Sequence, residues 1–587
     1  MKKLVTVVLA LTLVMTLVLS LAACGSNANN AGDSTENTAS GTAAPAPSET
    51  SSSIVELTAG GNFLVPPGDQ NDPIMQEITK ATGVKLKIID MSGDKFKVLA
   101  ASGDLPDIVS KDASYQQQFI EGGLIMPLDD LLASHGQNIA QNVPDMIKYN
   151  KKLVSNNTGK LYFITALTDN YSSITAVFNP WIRWEYYKEL GYPQINNYDD
   201  LFNVVSEMWK NHPKTEDGQP MYAVSTFSDW GAGSLLEMPG GQLDRAVGGA
   251  GLYEYDLKAN AFTLGITTPN SSWYKAAKFF NKAQRAGMLD PDTYIQTGEV
   301  YGNKEKAGRY MVCFENWNVL QANADFRKAG KDSQGYMPLP VPKGAAAYWG
   351  QAWPVGNNQS MIAISSKCKN PEKAMELLNF TFSYEGSRLI YNGIKDVNYT
   401  TKDGILQWTD ETKDNQLNMG SEFGQKTGIG KYEQFAGFGR YVAAQDGQYL
   451  DISKDPKALA VDSKNAKPWP LLDDFAAHYG VSRFGDTIDF RQFGEKFTDQ
   501  TLLYRTVAST GTAPQEINDL NDKLNNYFMK EFPKLIMGAK TDEEFENGYK
   551  NIQEGMKKLG LDKFAEYYDK AYADAVQLSN ELIGTNN

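Results

Sequence analysis

The chain has 587 residues, with 70 acidic against 56 basic side chains, a formal net charge of −14 and 42% hydrophobic residues. So acidic a surface excludes a nucleic-acid backbone as a natural partner, and three cysteines and three scattered histidines give neither a CxxC zinc pattern nor a clustered imidazole site. GxSxG, GxxxxGK[ST] and strand-linked GxGxxG patterns are missing too, which removes the usual signatures of serine hydrolases and nucleotide binders.

In chain order, Met1-Lys2-Lys3 precedes an apolar run from Leu4 to Leu19, shorter than the roughly 20 residues a spanning helix needs, and the segment closes on Leu21-Ala22-Ala23-Cys24. This resembles a bacterial lipoprotein signal, with residues 1–23 as the signal peptide and Cys24 as the lipidated residue; the alternatives are a plain secretory signal or an ordinary anchor. Residues 25–53 contain only Gly, Ser, Asn, Ala, Asp, Thr, Glu and Pro. They read as a flexible tether with a reach of roughly 30 Å, so residues 24–53 join a folded body to a membrane met through the lipid alone.

The remaining stretch, about 530 residues, is more than one core organises and predicts two lobes. Its opening alternates strand and helix as an α/β fold does. Ile54–Thr58 reads as a strand, Gly60–Gln70 as a Gly/Pro loop, Pro73–Thr82 as a helix and Val84–Ile88 as the next strand. A helix at Phe96–Ala101 and a short buried strand at Leu105–Val109 follow. Ligands of open α/β sheets sit beyond the carboxyl ends of strands, which points at Gly61–Gln70 and at Ser110-Lys111-Asp112. Later in the chain, Ile174–Phe178 and Met361–Ile364 read as strands beside candidate lobe crossings at 176–179 and 356–362. Asn370 with Pro371 opens a helix, and Thr541 caps another whose Phe545, Tyr549, Ile552, Met556 and Leu559 form one apolar stripe.

Several segments together carry a family resemblance: Ser102-Gly103-Asp104-Leu105-Pro106-Asp107-Ile108, Gly122–Leu132, Gly159–Ile164, Trp181–Gly191, Asn370–Ala374, Tyr384–Ile394 and Leu535–Gly538. The chain resembles extracellular solute-binding proteins of family 1, in particular large lipoproteins serving oligosaccharide ABC importers of Gram-positive bacteria. The resemblance implies a two-lobed periplasmic-binding-protein-like fold with a hinge and an interlobe cleft, the lobes being 54–176 plus about 358–410 and 177–357 plus about 411–587. It also implies a monomeric, non-enzymatic, extracellular carbohydrate-binding protein that delivers its ligand to ABC transporter permease subunits. Relatives carry a calcium loop where this chain has Asn211–Pro220; two acids and a lysine are poor material for six to eight oxygen ligands, so no metal and no cofactor are expected. Asp129-Asp130 reads as charging a helix start rather than as an acid/base couple. Cys313 and Cys368 could pair or stay buried as free thiols.

Sugar rings stack their C–H faces on indole while their hydroxyls seek amides and acids. Trp230, Trp317, Trp349 and Trp353, in polar or Gly-rich loops, are therefore the expected platforms, with Trp273 as a fifth; Trp184, Trp209 and Trp408 read as core. Asp69, Asn71, Asp112 and Asn316 are the expected hydroxyl partners, and Arg183 is held in reserve. Alternative readings are a lipid-anchored glycoside hydrolase and a binder of a non-sugar solute such as a peptide.

Overall fold

The computed structural model describes residues 54–583, apart from Gly93, 112–114, 170–178, Trp230, 232–245, Gly251, 257–260, 341–354, 357–359, 416–421, Asn465 and 489–512. The first sheet contains strands β1 (Val55–Gly61), β2 (Gly68–Asp69), β3 (Val84–Ile89), β4 (Ile108–Lys111) and β5 (Ile164–Thr165). Between β2 and β3 the chain turns through the helix Pro73–Thr82, whose bounds follow from local chemistry. The Asp72 side chain accepts from Met75 N at 3.0 Å, proline occupies the first turn, and Gly83 closes it at φ 71°. β3 and β4 then lie parallel to β1 on its two sides.

The second sheet begins with β6 (Trp181–Arg183), followed by the helix Trp184–Glu189. Trp181–Gly191 resembles one helix in sequence, yet its first three residues pair with neighbours on both sides. A separate hairpin sheet holds β7 (Ala246–Ala250), β8 (Tyr253–Asp256) and β9 (Ala261–Leu264). β10 (Val312–Cys313) and β11 (Tyr336–Pro338) then flank β6, both antiparallel to it. β12 (Met361–Ile364) returns to the first sheet between β4 and β5, giving the order β2-β3-β1-β4-β12-β5.

Buried side chains separate in the same way. One core gathers Leu57, Ile74, Leu86, Ile108, Ile164, Ile362 and Leu378, with an adjoining cluster around Phe96, Phe119 and Met361. A larger one gathers Trp181, Trp184, Phe280, Val312, Tyr336, Phe475, Phe532 and Phe564. Ile429, Tyr432, Phe435, Phe438 and Leu450 belong to the first core, although residues beyond about 410 were expected in the second lobe. The segment holding them folds back onto the first sheet, where Leu167 N and Thr168 N donate to Ala436 O and Gly437 O. Cys313 and Cys368 are free, buried thiols in different cores.

Asp129 and Asp130 lie in the first turn of the helix Asp129–His135, as expected, but make no side-chain cap; the Asp129 carboxylate instead accepts Leu161 N at 3.0 Å and pairs with Lys151 at 2.6 Å. The helix Pro371–Thr381 keeps its N-terminal proline, but Asn370 makes no side-chain cap. In the second core, the helix Asp542–Leu559 is capped by Thr541, whose hydroxyl accepts Glu544 N at 3.1 Å, and it buries Phe545, Tyr549, Ile552 and Met556.

Candidate functional site

Topology decides which ends of the two sheets look toward each other. β1, β4 and β5 run the same way, and β12 starts opposite Lys111 and Thr165, the last residues of β4 and β5. The chain thus leaves the first sheet after β5 and re-enters it at β12 along one edge, the carboxyl edge of the parallel strands. The second sheet mirrors this. β6 begins just after Asn179-Pro180, with Trp181 opposite both Cys313 and Pro338, so the carboxyl ends of β10 and β11 lie where the chain arrives. Asn179, itself buried, ties that corner by donating to Leu339 O at 2.6 Å. Gly356 at φ 86° holds the return path against the first sheet, where a Cβ would come within 2.6 Å of Thr165 Cγ2.

Three further segments extend the second wall. Tyr222–Val224 runs parallel to Tyr310–Val312, and Val224 bridges Leu289 in parallel, so the segments that begin at Phe227, Ile295 and Glu315 follow these paired stretches at the same edge. Local bonds knit them together. The Asp229 carboxylate accepts Gly298 N at 2.6 Å, Phe227 lies 5.3 Å from Tyr301, and the Asn318 amide reaches Glu305 at 2.9 Å and Glu315 at 3.1 Å. Ile295 (79% exposed), Val300, Trp317 (36% exposed) and Leu320 are the exposed large apolar side chains of these segments, the Trp317 ledge.

On the first wall, Phe63 follows β1 and stacks on Phe435 at 3.8 Å, beside Leu64, which is 74% exposed and held at φ 58°. A leucine in the left-handed region costs about 1 kcal/mol or more, and such strain gathers at binding loops. Ser360 donates to Gln434 at the same edge, and Lys111 stands 4.2 Å from the Phe96 ring.

Of the expected site residues, Trp317 and Asn316 occupy the second wall. Trp230, Trp349, Trp353 and Asp112 lie outside the described residues, as do the signal segment, Cys24, the linker and Ala176–Phe178 of the expected crossing. Trp273, 1% exposed, instead packs in the second core against Phe528 and Gly265, because a helix started by Ser271 turns that face inward. Arg183, 3% exposed, is also structural: its guanidinium pairs with Glu185, donates to Gly308 O and lies over Tyr186, Phe326 and Tyr336. Asp69 sits on an edge strand that runs antiparallel to β3, opposite Lys87, so the chain is already heading away from the carboxyl edge. Asn71 is further along that path and exposed. Phe435 and Gln434 were missed because nothing local marks a segment that returns to the first sheet from about 370 residues away.

The strongest electrostatic feature of the second wall is Glu305 with Glu315. Both are fully buried, and burial drives both carboxyls above their ordinary range, with Glu305 adding its repulsion at Glu315. In the segment Asn211–Pro220, Glu216 pairs with Lys331 at 2.7 Å and accepts from Gln334 at 2.7 Å. Among the described residues no group of three or more His, Cys, Asp or Glu is arranged to hold a metal ion, and no helix is long and apolar enough to cross a membrane.

Residues 68–387, more than half of the chain, match the sequence model of the family described as bacterial extracellular solute-binding protein. No curated protein sequence matches. Among solved structures, the chain is similar to the Streptococcus pneumoniae ABC-transporter substrate-binding protein FusA in complex with kestose, with 17% identity, TM-score 0.59, and 88% of this chain and 98% of that one covered. It is similar to the alginate-binding protein AlgQ2 with 16% identity, TM-score 0.57 and coverage of 89% and 98%. It also resembles the N-glycan transport solute-binding protein of Streptococcus pneumoniae with 16% identity, TM-score 0.52 and coverage of 90% and 99%. These likenesses establish a shared fold.

Proposed function

The chain belongs to the bacterial extracellular solute-binding protein family, and from that premise we propose that it captures an oligosaccharide between its two cores and delivers it to the permease of an ABC importer. The observation that supports this reading is Trp317, a partly exposed indole in the segment that follows β10, next in sequence to Asn316. An indole beside an amide suits a pyranose ring, and the fold neighbours include proteins described with kestose, alginate and N-glycans. Cys24, lipidated after cleavage, tethers the protein to the outer face of the cell membrane, where it works as a monomer. We assign the lobes as 54 to about 170 plus about 360–464, and about 179–340 plus about 469–583, with hinges in the segments between. Trp230, Trp349, Trp353 and Asp112 remain candidates for the same cleft.

Hydrolysis would need two carboxylates reaching the sugar, about 5 to 10 Å apart. The pair beside Trp317, Glu305 with Glu315, is fully buried, which favours binding without chemistry.

A thermal-shift screen of oligosaccharides finds the ligand, since one present at 100 times its Kd stabilises the bound state by about 2.7 kcal/mol. Calorimetry on Trp317→Ala then tests the site. We expect affinity to fall about 5- to 150-fold, the loss of 1 to 3 kcal/mol typical of a buried aromatic anchor. Unchanged affinity in a folded variant rejects the ledge as the platform. Cys24→Ser should leave the protein unprocessed or released to the medium, whereas a mature-sized, membrane-bound variant rejects the anchor.

A further inference from the structure

The helix Gly298–Lys306 and the turn Glu315–Trp317 bury two carboxylic acids against each other with no cation between them. Glu305 and Glu315 are each 0% exposed and are reached by one and the same amide. The Asn318 amide donates to both, at 2.9 and 3.1 Å, and Asn318 N approaches Glu315 Oε2 at 3.3 Å. Gly302 makes room for this amide, since a Cβ there would stand 2.7 Å from Asn318 Nδ2. Glu305 Oε1 is left without a donor.

The groups facing the pair are uncharged or acidic: Tyr301 from the same helix, Cys313 at the end of β10, Asn318 from the next helix and Tyr336 from β11. The nearby cations are committed elsewhere, Lys304 to Asp290 and Asp292 at 2.7 and 2.9 Å, and Arg183 to Glu185. Two adjacent carboxylates stripped of water and counter-ion cannot both ionise at an affordable free energy, whereas one acid donating to one carboxylate fills the vacant place at Glu305 Oε1.

We propose that Glu305 and Glu315 share a single proton, and that this proton holds the Glu315–Trp317 turn in the shape that presents the Trp317 ring, so that alkaline pH withdraws it and weakens ligand capture. The consequence for capture rests on the ligand site proposed above; the shared proton does not. When the pair ionises, its proton passes to solvent. The two like charges then repel, and the strain falls on the turn Glu315–Trp317 that joins β10 to the helix Trp317–Lys328.

The sign follows from linkage. The native pair keeps a proton that the unfolded carboxyls have lost, so stability falls as pH rises from the ordinary carboxylate range toward the native pKa. Glu305→Gln removes the acid but preserves shape and hydrogen bonding to Glu315, and Glu315→Gln serves as the second variant. Between about pH 6 and pH 9 the melting temperature of either variant, measured relative to the parent chain, should rise by about 1 to 2 °C per pH unit. The infrared band of a buried protonated carboxyl should be present in the parent and lost in both. The difference in tryptophan emission between the parent and Trp317→Phe should stay constant while that slope persists and change at the pH where it levels off, because there the native pair loses its proton, and in Glu305→Gln it should not change. With a confirmed oligosaccharide, affinity of the parent should decline about tenfold per pH unit once the proton is lost, and that decline should vanish in Glu305→Gln. Parallel melting curves in folded variants, or no carboxyl band, overturn the shared proton. Trp317 emission that stays flat through the pH at which the stability slope levels off overturns the coupling, and failure to bind any oligosaccharide overturns the functional reading alone.

Discussion

Trp317 and Trp273 carry the same side chain, and their different roles come from where each helix starts. Trp273 is the second residue of a helix whose buried face includes Ala276, Ala277 and Phe280, so its ring is driven into the second core and its Nε1 finds no acceptor. Trp317 opens a helix at the end of a strand and keeps part of its ring in the open. Composition alone gives these two residues equal claims; burial separates them. Trp273→Ala should therefore cost about 3 to 5 kcal/mol of stability and leave ligand affinity intact, the opposite of Trp317→Ala, with chemical denaturation and calorimetry reading the two effects. Asp474 shows the same logic for a charge. Burial pushes its carboxyl up, but Lys188, the Tyr192 hydroxyl at 2.6 Å and the Trp184 indole at 2.8 Å more than offset this and hold it below its ordinary range. A depressed native pKa gives stability that is present above the unfolded value and lost as pH falls through the native one. Asp474→Asn should therefore lower stability at neutral pH and flatten its decline below about pH 4, and acid titrations that superimpose for the two proteins would count against this.

At the scale of elements, legibility tracks how local the determinants are. The helix Pro73–Thr82 was readable because its cap, proline and terminal glycine all lie within its own span, and the stripe of Asp542–Leu559 because four of its five apolar positions are buried as spaced. Trp181–Arg183 was not. A strand of three residues has no period to reveal it, and only its pairing with β10 and β11 fixes it. β2 fails for the same reason, since its direction, which carries Asp69 and Asn71 away from the cleft, is set by β3 rather than by its own residues. The stripe gives a clean test of structure without binding. Ile552→Ala and Met556→Ala should each lose about 2 to 5 kcal/mol, with affinity in the folded fraction unchanged. A large affinity loss would instead place that helix at the cleft.

For the whole molecule, the separation into two cores was predictable from length, but the division of the chain between them was not, because the Ile429–Leu450 segment returns to the first core through contacts with residues far upstream. Nor does the sequence announce that the last helix, Leu561–Ile583, touches both cores. Its Tyr572 stacks on Phe262 of β9 at 4.0 Å and meets Tyr253 at 5.2 Å in the second core, while Leu582 packs beside the cluster of Phe119, Tyr149 and Phe163, where Lys148 Nζ approaches Leu582 O at 3.4 Å. If the lobes rotate as rigid bodies about the crossing segments, this helix must pivot with one lobe and slide on the other. The strong aromatic contacts at Tyr572 make the second lobe its anchor, and the lighter Leu582 contact makes the first lobe the sliding surface. Leu582→Asp breaks only that lighter contact. It should leave the melting temperature nearly unchanged, raise the radius of gyration of the ligand-free protein in small-angle scattering, and leave the compact ligand-bound value as it is. Scattering curves that coincide in the ligand-free state would mean that the helix exerts no hold on the first lobe and that the crossing segments alone set the angle between the lobes.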